Sequence, residues 1–193
     1  MANNEMTILL CEGESEYAYI QELNRYLREN EFNFKFIPKV IGSGFYTEVQ
    51  KKHKEERKNN PRTPIKIFLD DDIYVRNEGD REQENSSKFA ESGFKDDFLF
   101  NVHNFEDFLM LHCDDETLNQ WITKCTETNH GNIPMHSAQY MPLIKGMFPD
   151  YEKGELLFRP IDQEKLDNLF RHNEDDSIFI KSNFATYLKK RLT

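Results

Sequence analysis

The chain has 193 residues and a formal net charge of −10, from 25 Lys and Arg against 35 Asp and Glu. This length predicts one compact domain, which buries enough surface to fold without disulfides or a structural metal. The acidic charge excludes a generic basic nucleic-acid-binding protein, but not an enzyme that meets phosphate groups through metal ions. The cysteines at 11, 113 and 125 form no CxxC pair, which is typical of reduced thiols. Because no run approaches roughly 18 apolar residues, we expect a soluble, cytoplasmic protein with no membrane partner.

Short apolar runs alternate with helical patterns along the chain. The runs predict strands over residues 7–11, 32–36, 65–69, 98–102 and 177–180. Helices are predicted over residues 17–30, 46–60, 104–111, 114–126, 137–148, 162–170 and 183–192. Ser15 is the predicted N-cap of the first helix, and Pro38 limits the second strand or places it near a sheet edge. This alternation predicts an α/β protein with a mostly parallel sheet flanked by helices, in one domain over residues 1–193 with a helical insertion at roughly 114–170.

Acidic side chains follow the first and third predicted strands at the point where each strand ends. Glu12 comes after the first strand, with Glu16 in the first turn of the next helix, and Asp70 and Asp72 come after the third strand. Ligands of open α/β sheets bind at the carboxyl ends of the strands, so four carboxylates converge if these two strands are neighbours. Carboxylates so close repel one another unless cations bind, and oxygen ligands suit Mg²⁺ or Mn²⁺. The pattern therefore predicts a phosphoryl-transfer site, to which the helix N-terminus adds free N–H groups.

Four segments together carry a resemblance to a known family. An apolar strand with the turn EGESE (12–16), followed by an apolar strand with DDD (70–72), resembles the Toprim domain, the metal-binding fold of topoisomerases, primases and OLD-type nucleases. The segment NFEDFLMLH (104–112) is similar to the Asn-Pro-x-Phe-Glu-x-Trp-Leu-Leu-Leu-His segment of RloB-like proteins of bacterial phage-defence loci, although it lacks the Pro and the Trp. The segment IKSNFA (180–185) resembles the Lys-x-x-Phe-Ala helix start of OLD-type Toprim domains.

The resemblance implies a Toprim-like fold and a metal-dependent nuclease. The family's metal ligands correspond to Glu12, Glu16, Asp70, Asp72 and Glu106. Glu12 would be the carboxylate closest to the chemistry, and Lys181 would neutralise charge that develops on the phosphate. The family also implies a DNA or RNA substrate, such as a tRNA loop, and an ABC-type ATPase partner, because such proteins are commonly encoded beside one. The chain itself contains no P-loop sequence.

Other classes of function stay open at this stage. One is a non-catalytic regulatory or toxin module held by an ATPase scaffold, which the intact set of Glu12, Asp70 and Asp72 disfavours. Another is an Asp-x-Asp phosphatase, which would need an Asp nucleophile where this chain has Glu12. The net charge opposes electrostatic attraction of nucleic acid, so either a partner supplies basic surface or the substrate is small or structured. The aromatic residues of 137–158 fit an interface and a core equally well.

Several neighbouring polar residues are expected to be structural. By alternation Asp71 points away from the pocket, and Asp107 is expected to face solvent. Glu106 lies on an amphipathic helix, where a surface carboxylate is as good an interpretation as a ligand. His112 ends the apolar helix and is expected to cap it rather than to bind zinc. Ser43 lies between two glycines and is expected to be a turn residue rather than a nucleophile.

Overall fold

The computed structural model describes residues 5–71, 87–128 and 137–193, and its strands form one parallel sheet. The strands are β1 (Glu5–Cys11), β2 (Phe34–Val40), β3 (Ile65–Asp70) and β4 (Phe98–Asn101), in the spatial order β2-β1-β3-β4. The helices with bounds in the described residues are α1 (Glu14–Glu29), α2 (Tyr46–Asn59), α3 (Phe105–Met110), α4 (Asp115–Thr128), α5 (Ser137–Met147), α6 (Gln163–Glu174) and α7 (Asn183–Leu192). The predicted α/β class, with a mostly parallel sheet and flanking helices, is confirmed.

Both faces of the central strand β1 are buried. Leu9 and Cys11 pack into a core cluster with side chains of α1, α3 and α7, whereas Ile8 and Leu10 pack into a second cluster that includes Val49 of α2. All four of these β1 side chains are at most 2% exposed. A strand covered on both faces needs apolar residues at every position, which explains the continuous apolar run. The edge strand β2 carries Pro38, as predicted, because a proline donates no hydrogen bond to a sheet ladder.

Two sequence predictions about local structure are wrong. The segment 177–180 forms no strand. The chain meets the sheet just after it, through an isolated antiparallel bridge between Asn101 and Ser182 and a hydrogen bond from the backbone N–H of Val102 to the carbonyl oxygen of Lys181 at 2.7 Å. The isoleucines of 177–180 are buried, so the apolar alternation reflects packing of irregular chain against the core. Ser15 is not the N-cap of α1, because the helix already begins at Glu14. Gly13 takes the cap position, and its backbone N–H donates to Glu16 Oε2 at 3.0 Å.

The C-terminal half of the described chain is mainly helical. Helices α4 and α5 and the first half of α6 lie in the segment 114–170, for which a helical insertion is predicted. Asp162 is the N-cap of α6, since its side chain accepts a hydrogen bond from the backbone N–H of Lys165. The assignment of one domain to the whole chain stays a prediction. Among the described helices, none has the length and apolar character needed to cross a lipid bilayer.

Candidate functional site

A cavity of about 580 Å³ opens at the carboxyl end of the sheet. Its walls come from the ends of β1, β2 and β3, the N-terminus of α1, the start of α3, and α5 with the chain that follows it. The acidic residues that line it are Glu12, Glu14, Glu16, Asp70 and Glu106. Strands β1 and β3 are hydrogen-bonded neighbours, so the condition for convergence of Glu12 and Asp70 is met.

Asp70 is oriented from three directions. Its backbone N–H donates to Glu12 Oε2 at 3.3 Å, which links the ends of the two central strands. Its carboxylate accepts one hydrogen bond from Asn101 Nδ2 at 3.2 Å and another from the backbone N–H of Phe105 at 2.9 Å. Strand β4 and helix α3 therefore fix the direction in which the Asp70 carboxylate points.

The loop after β2 closes tightly over Glu12. The backbone N–H groups of Ile41 and Gly42 donate to the carbonyl oxygens of Cys11 and Glu12, at 2.8 and 2.9 Å. A Cβ at Gly44 would lie 2.9 Å from Oε1 and 3.0 Å from Oε2 of Glu12, which is closer than van der Waals contact allows. Only glycine fits this position without moving the Glu12 carboxylate. The neighbouring Ser43 hydroxyl accepts from the backbone N–H of Phe45, which suits its predicted role in a turn.

Glu16 is a buried carboxyl group at the start of α1. Its side chain is 5% exposed, and within the described residues it makes no ion pair with a basic side chain. Burial, together with the nearby charge of Glu12, raises the pKa of Glu16 to about 8. The carboxyl group of Glu16 therefore favours its protonated form at neutral pH unless a cation enters the cavity.

Glu106 and Asp107 are both buried on α3, at 3% and 4% exposure. Tyr151 donates its hydroxyl to Glu106 Oε1 at 3.3 Å, and Tyr140 adds a second phenol hydrogen bond. Burial raises the pKa of Glu106 despite these donors. The expectation that Asp107 faces solvent is wrong. Trp121 Nε1 donates to its Oδ1 at 2.6 Å, and burial raises its pKa to about 7, because α4 covers this end of α3.

His112, predicted to cap α3, lies one residue beyond the C-cap Leu111 and is part of the core. Its ring is 1% exposed, with Nδ1 bonded to the carbonyl oxygen of Phe108 at 3.2 Å and Nε2 to the hydroxyl of Tyr19 at 3.0 Å. A carbonyl only accepts, so Nδ1 carries the proton and Nε2 accepts from the tyrosine. Burial lowers the pKa of His112 to about 3, which keeps the ring neutral.

The remaining predicted site residues are not brought into the cavity by the described structure. Asp72 lies outside the described residues. Lys181 is not among the residues that line the cavity, and its Nζ donates to the carbonyl oxygens of Asn173 and Asp175 at 3.0 and 2.7 Å, at the end of α6. In the ranges 5–71, 87–128 and 137–193, no group of three or more His, Cys, Asp or Glu side chains is arranged to hold a metal ion. The ligand set and the role of Lys181 stay predictions.

Sequence patterns missed part of the cavity wall. Tyr140, Lys153 and Gly154 line it, and Tyr151 supports it through Glu106. The aromatic content of 137–158 was the available signal for the two tyrosines, which are buried. No spacing rule connects Lys153 with the strand ends, because only the packing of the chain after α5 brings it there.

Comparison with known proteins finds a weak structural likeness. No protein-family model matches the chain, and neither does any curated protein. Among solved structures, the C-terminal region of the Burkholderia pseudomallei OLD protein is similar, with a TM-score of 0.38 and 10% identity over 90% of this chain and 83% of that one. A likeness of this size assigns no function, so the chemistry of the site rests on its own residues.

Proposed function

We propose that this protein is a divalent-metal-dependent nuclease that hydrolyses phosphodiester bonds in DNA or RNA, tRNA included. The observation that supports the proposal is the meeting of Glu12 and Asp70 at the ends of adjacent parallel strands, with buried Glu16 in the same cavity. Two of the acidic strand-end residues that the sequence singles out thus share one cavity.

The donor set fits a hard divalent cation. The candidate ligands are all carboxylates, the donors that Mg²⁺ and Mn²⁺ prefer over nitrogen or sulfur. Glu12 and Asp70 would hold the ion, with Glu16 and Glu106 available from α1 and α3, and Asp72 a further predicted ligand. When bound, such an ion lowers the pKa of a coordinated water and stabilises the leaving oxygen. The ion would also offset the charge of Glu12, which together with burial raises the pKa of Glu16.

The chain's own residues would position the substrate and the ligands. Asn101 and Phe105 hold the Asp70 carboxylate, and Gly44 leaves room for that of Glu12. The backbone at the start of α1, residues 13–15, lines the same cavity and presents a helix N-terminus to it. A phosphate that enters would meet this helix N-terminus as well as the carboxylates.

We further propose a Toprim-like, RloB- or OLD-related protein that acts in the cytoplasm in phage defence with an ABC-type ATPase. The sequence resemblance at 12–16, 70–72, 104–112 and 180–185 supports this assignment. The net charge of −10 supports a partner as well, because this chain does little to attract nucleic acid by itself.

The deciding experiment is calorimetric titration of Mn²⁺ and Mg²⁺ into the wild type, Asp70→Asn and Asp96→Asn. Asp96 is exposed outside the cavity, so its variant controls for the same chemical change. We expect the wild type and Asp96→Asn to bind metal and Asp70→Asn to lose that binding, with cleavage of DNA, RNA or tRNA following the same order.

Metal binding that is indifferent to Asp70→Asn would contradict the site. Neither binding nor cleavage at millimolar metal would refute the nuclease and favour a regulatory module. Co-purification with the ATPase would then be the observation to seek.

A further inference from the structure

One basic side chain lines the cavity together with the carboxylates. Among the described residues that line it, Lys153 alone is basic. Its Nζ lies 6.0 Å from the centroid of the Tyr140 ring, and within the described residues its ammonium forms neither a hydrogen bond nor an ion pair. Lys153 is exposed, and although burial raises the pKa of nearby Glu106, the positive charge of Lys153 acts to lower it. Because Lys153 forms no close ion pair within the described residues, this charge stays available to a ligand.

The chain around Lys153 is held in place on both sides. Tyr151 is buried and bonded to Glu106, and Glu152 pairs with Lys145 of α5 at 2.8 Å. The turn then closes through a backbone hydrogen bond from Glu155 to Glu152, at 3.0 Å. These contacts hold the backbone at residue 153 in place. The position of Lys153 at the cavity therefore follows from its neighbours in the chain and needs no ion pair of Lys153 itself.

A lysine ammonium is a compact charge on a flexible stem, which suits it to contact a phosphate oxygen. A phosphate bound in this cavity would bring negatively charged oxygens near the carboxylates, and the ammonium of Lys153 would offset part of that charge. Lys181 is less suited to this contact in the described structure, because two backbone carbonyls already accept from its ammonium.

We infer that Lys153 binds a backbone phosphate of the nucleic-acid strand in the cavity. This inference rests on the proposed function and adds a substrate-binding residue that sequence patterns did not indicate. Tyr151 is the positioning residue, since it fixes the chain two residues before Lys153 through its hydrogen bond with Glu106.

The test is binding of a fluorescein-labelled single-stranded oligonucleotide, as DNA and as RNA, followed by fluorescence anisotropy in Ca²⁺ over a series of salt concentrations. The variants are Lys153→Met, Lys153→Arg and Lys51→Met. Lys51 is an exposed residue of α2 away from the cavity, so its variant matches the change in net charge. Thermal unfolding of each variant monitors the fold.

Loss of one charge-assisted hydrogen bond should weaken binding by Lys153→Met about tenfold or more. The slope of log K against log salt should also fall by about 0.7, the value for one phosphate contact to a single strand. A merely structural lysine would not change that slope. We expect Lys51→Met to bind as the wild type does and Lys153→Arg to keep most of the affinity, since it keeps the charge.

The outcomes separate this inference from the nuclease proposal. Unchanged affinity and salt slope in Lys153→Met would overturn the inference, even if the wild type cleaves nucleic acid. Binding that depends on Lys153 in a protein that neither binds Mn²⁺ nor cleaves would refute the nuclease and leave Lys153 as an anion-binding residue. Absence of oligonucleotide binding by the wild type would overturn the inference as well.

Discussion

Two acidic regions of this protein differ in the partners of their carboxyl groups. Asp97, just before β4, is surrounded by basic side chains: Lys66 and His53 approach its oxygens at 3.2 Å, and Arg57 at 3.8 Å. In the cavity, Glu16 and Glu106 are more deeply buried, yet in the described part of the chain neither has a basic side chain within ion-pair distance. Tyrosine hydroxyls and a backbone N–H bind them instead.

This difference distinguishes a structural ion cluster from a candidate ligand site. In the Asp97 cluster, side chains of the protein itself balance the negative charge, so no bound cation is required. In the cavity, burial raises the pKa of Glu16 and that of Glu106, which disfavours their charged form until a cation arrives. A carboxylate whose role is only structural is better paired with basic side chains, as Asp97 is. Buried carboxylates without such partners are more typical of a binding site.

The largest effect is expected at Asp70. Asp70→Asn should reduce metal-dependent cleavage to background, and Glu12→Gln should do the same, because each removes a strand-end ligand. The metal-free variants should be as stable as the wild type or more so, since a mutually repelling charge is removed. Cleavage assays with Mn²⁺ and thermal unfolding in EDTA measure the two effects. Variants that cleave like the wild type would show that the cavity is not the active site.

The stability of the metal-free protein should depend on Glu16. Its pKa is raised from 4.5 to about 8 on folding, so the unfolded chain loses this proton at a lower pH than the folded chain. Glu16 therefore contributes most below pH 4.5, and its contribution is lost as the pH rises from 4.5 to about 8, at up to about 1.4 kcal/mol per pH unit.

Urea unfolding at a series of pH values tests this, with Glu16→Gln expected to flatten the curve. Glu14→Gln is the matched control, because Glu14 lines the same cavity but is exposed. An equal change in both variants would show that general repulsion, rather than burial of Glu16, sets the pH dependence.

A smaller effect is expected at Gly44. Gly44→Ala adds a Cβ against the Glu12 carboxylate and should weaken Mn²⁺ binding by about tenfold, as loss of support to a metal ligand commonly does. Gly93→Ala is the control, since a Cβ there meets no atom within 4 Å. Calorimetry on both variants measures the effect. Equal affinities would mean that the loop after β2 does not determine the position of Glu12.

The smallest effect is expected in the Asp97 cluster. Asp97→Asn should leave cleavage and metal binding unchanged and lower the free energy of unfolding by about 1 kcal/mol, because the pairs are partly exposed. Chemical denaturation and the cleavage assay measure the two quantities. A loss of activity here would break the distinction between the two acidic regions.

The sequence predicted well those features that depend on local pattern. The strands of the parallel sheet follow from apolar runs, and Glu12 and Asp70 were placed at strand ends because the runs stop there. The sequence predicted poorly those features in which burial depends on residues far apart in the chain. Residues 177–180 have the alternation of a strand but form none, and Asp107, expected to face solvent, is covered by Trp121 of α4.

By itself, then, the sequence determined the α/β class and the acidic strand ends, because hydrophobic periodicity and strand length act over a few residues. Only the tertiary structure decided that β1 and β3 are neighbours, that Glu106 is buried against Tyr140 and Tyr151, and that Lys153 lines the same cavity as the carboxylates. Contacts between residues far apart in the chain arise from packing and leave no period in the sequence.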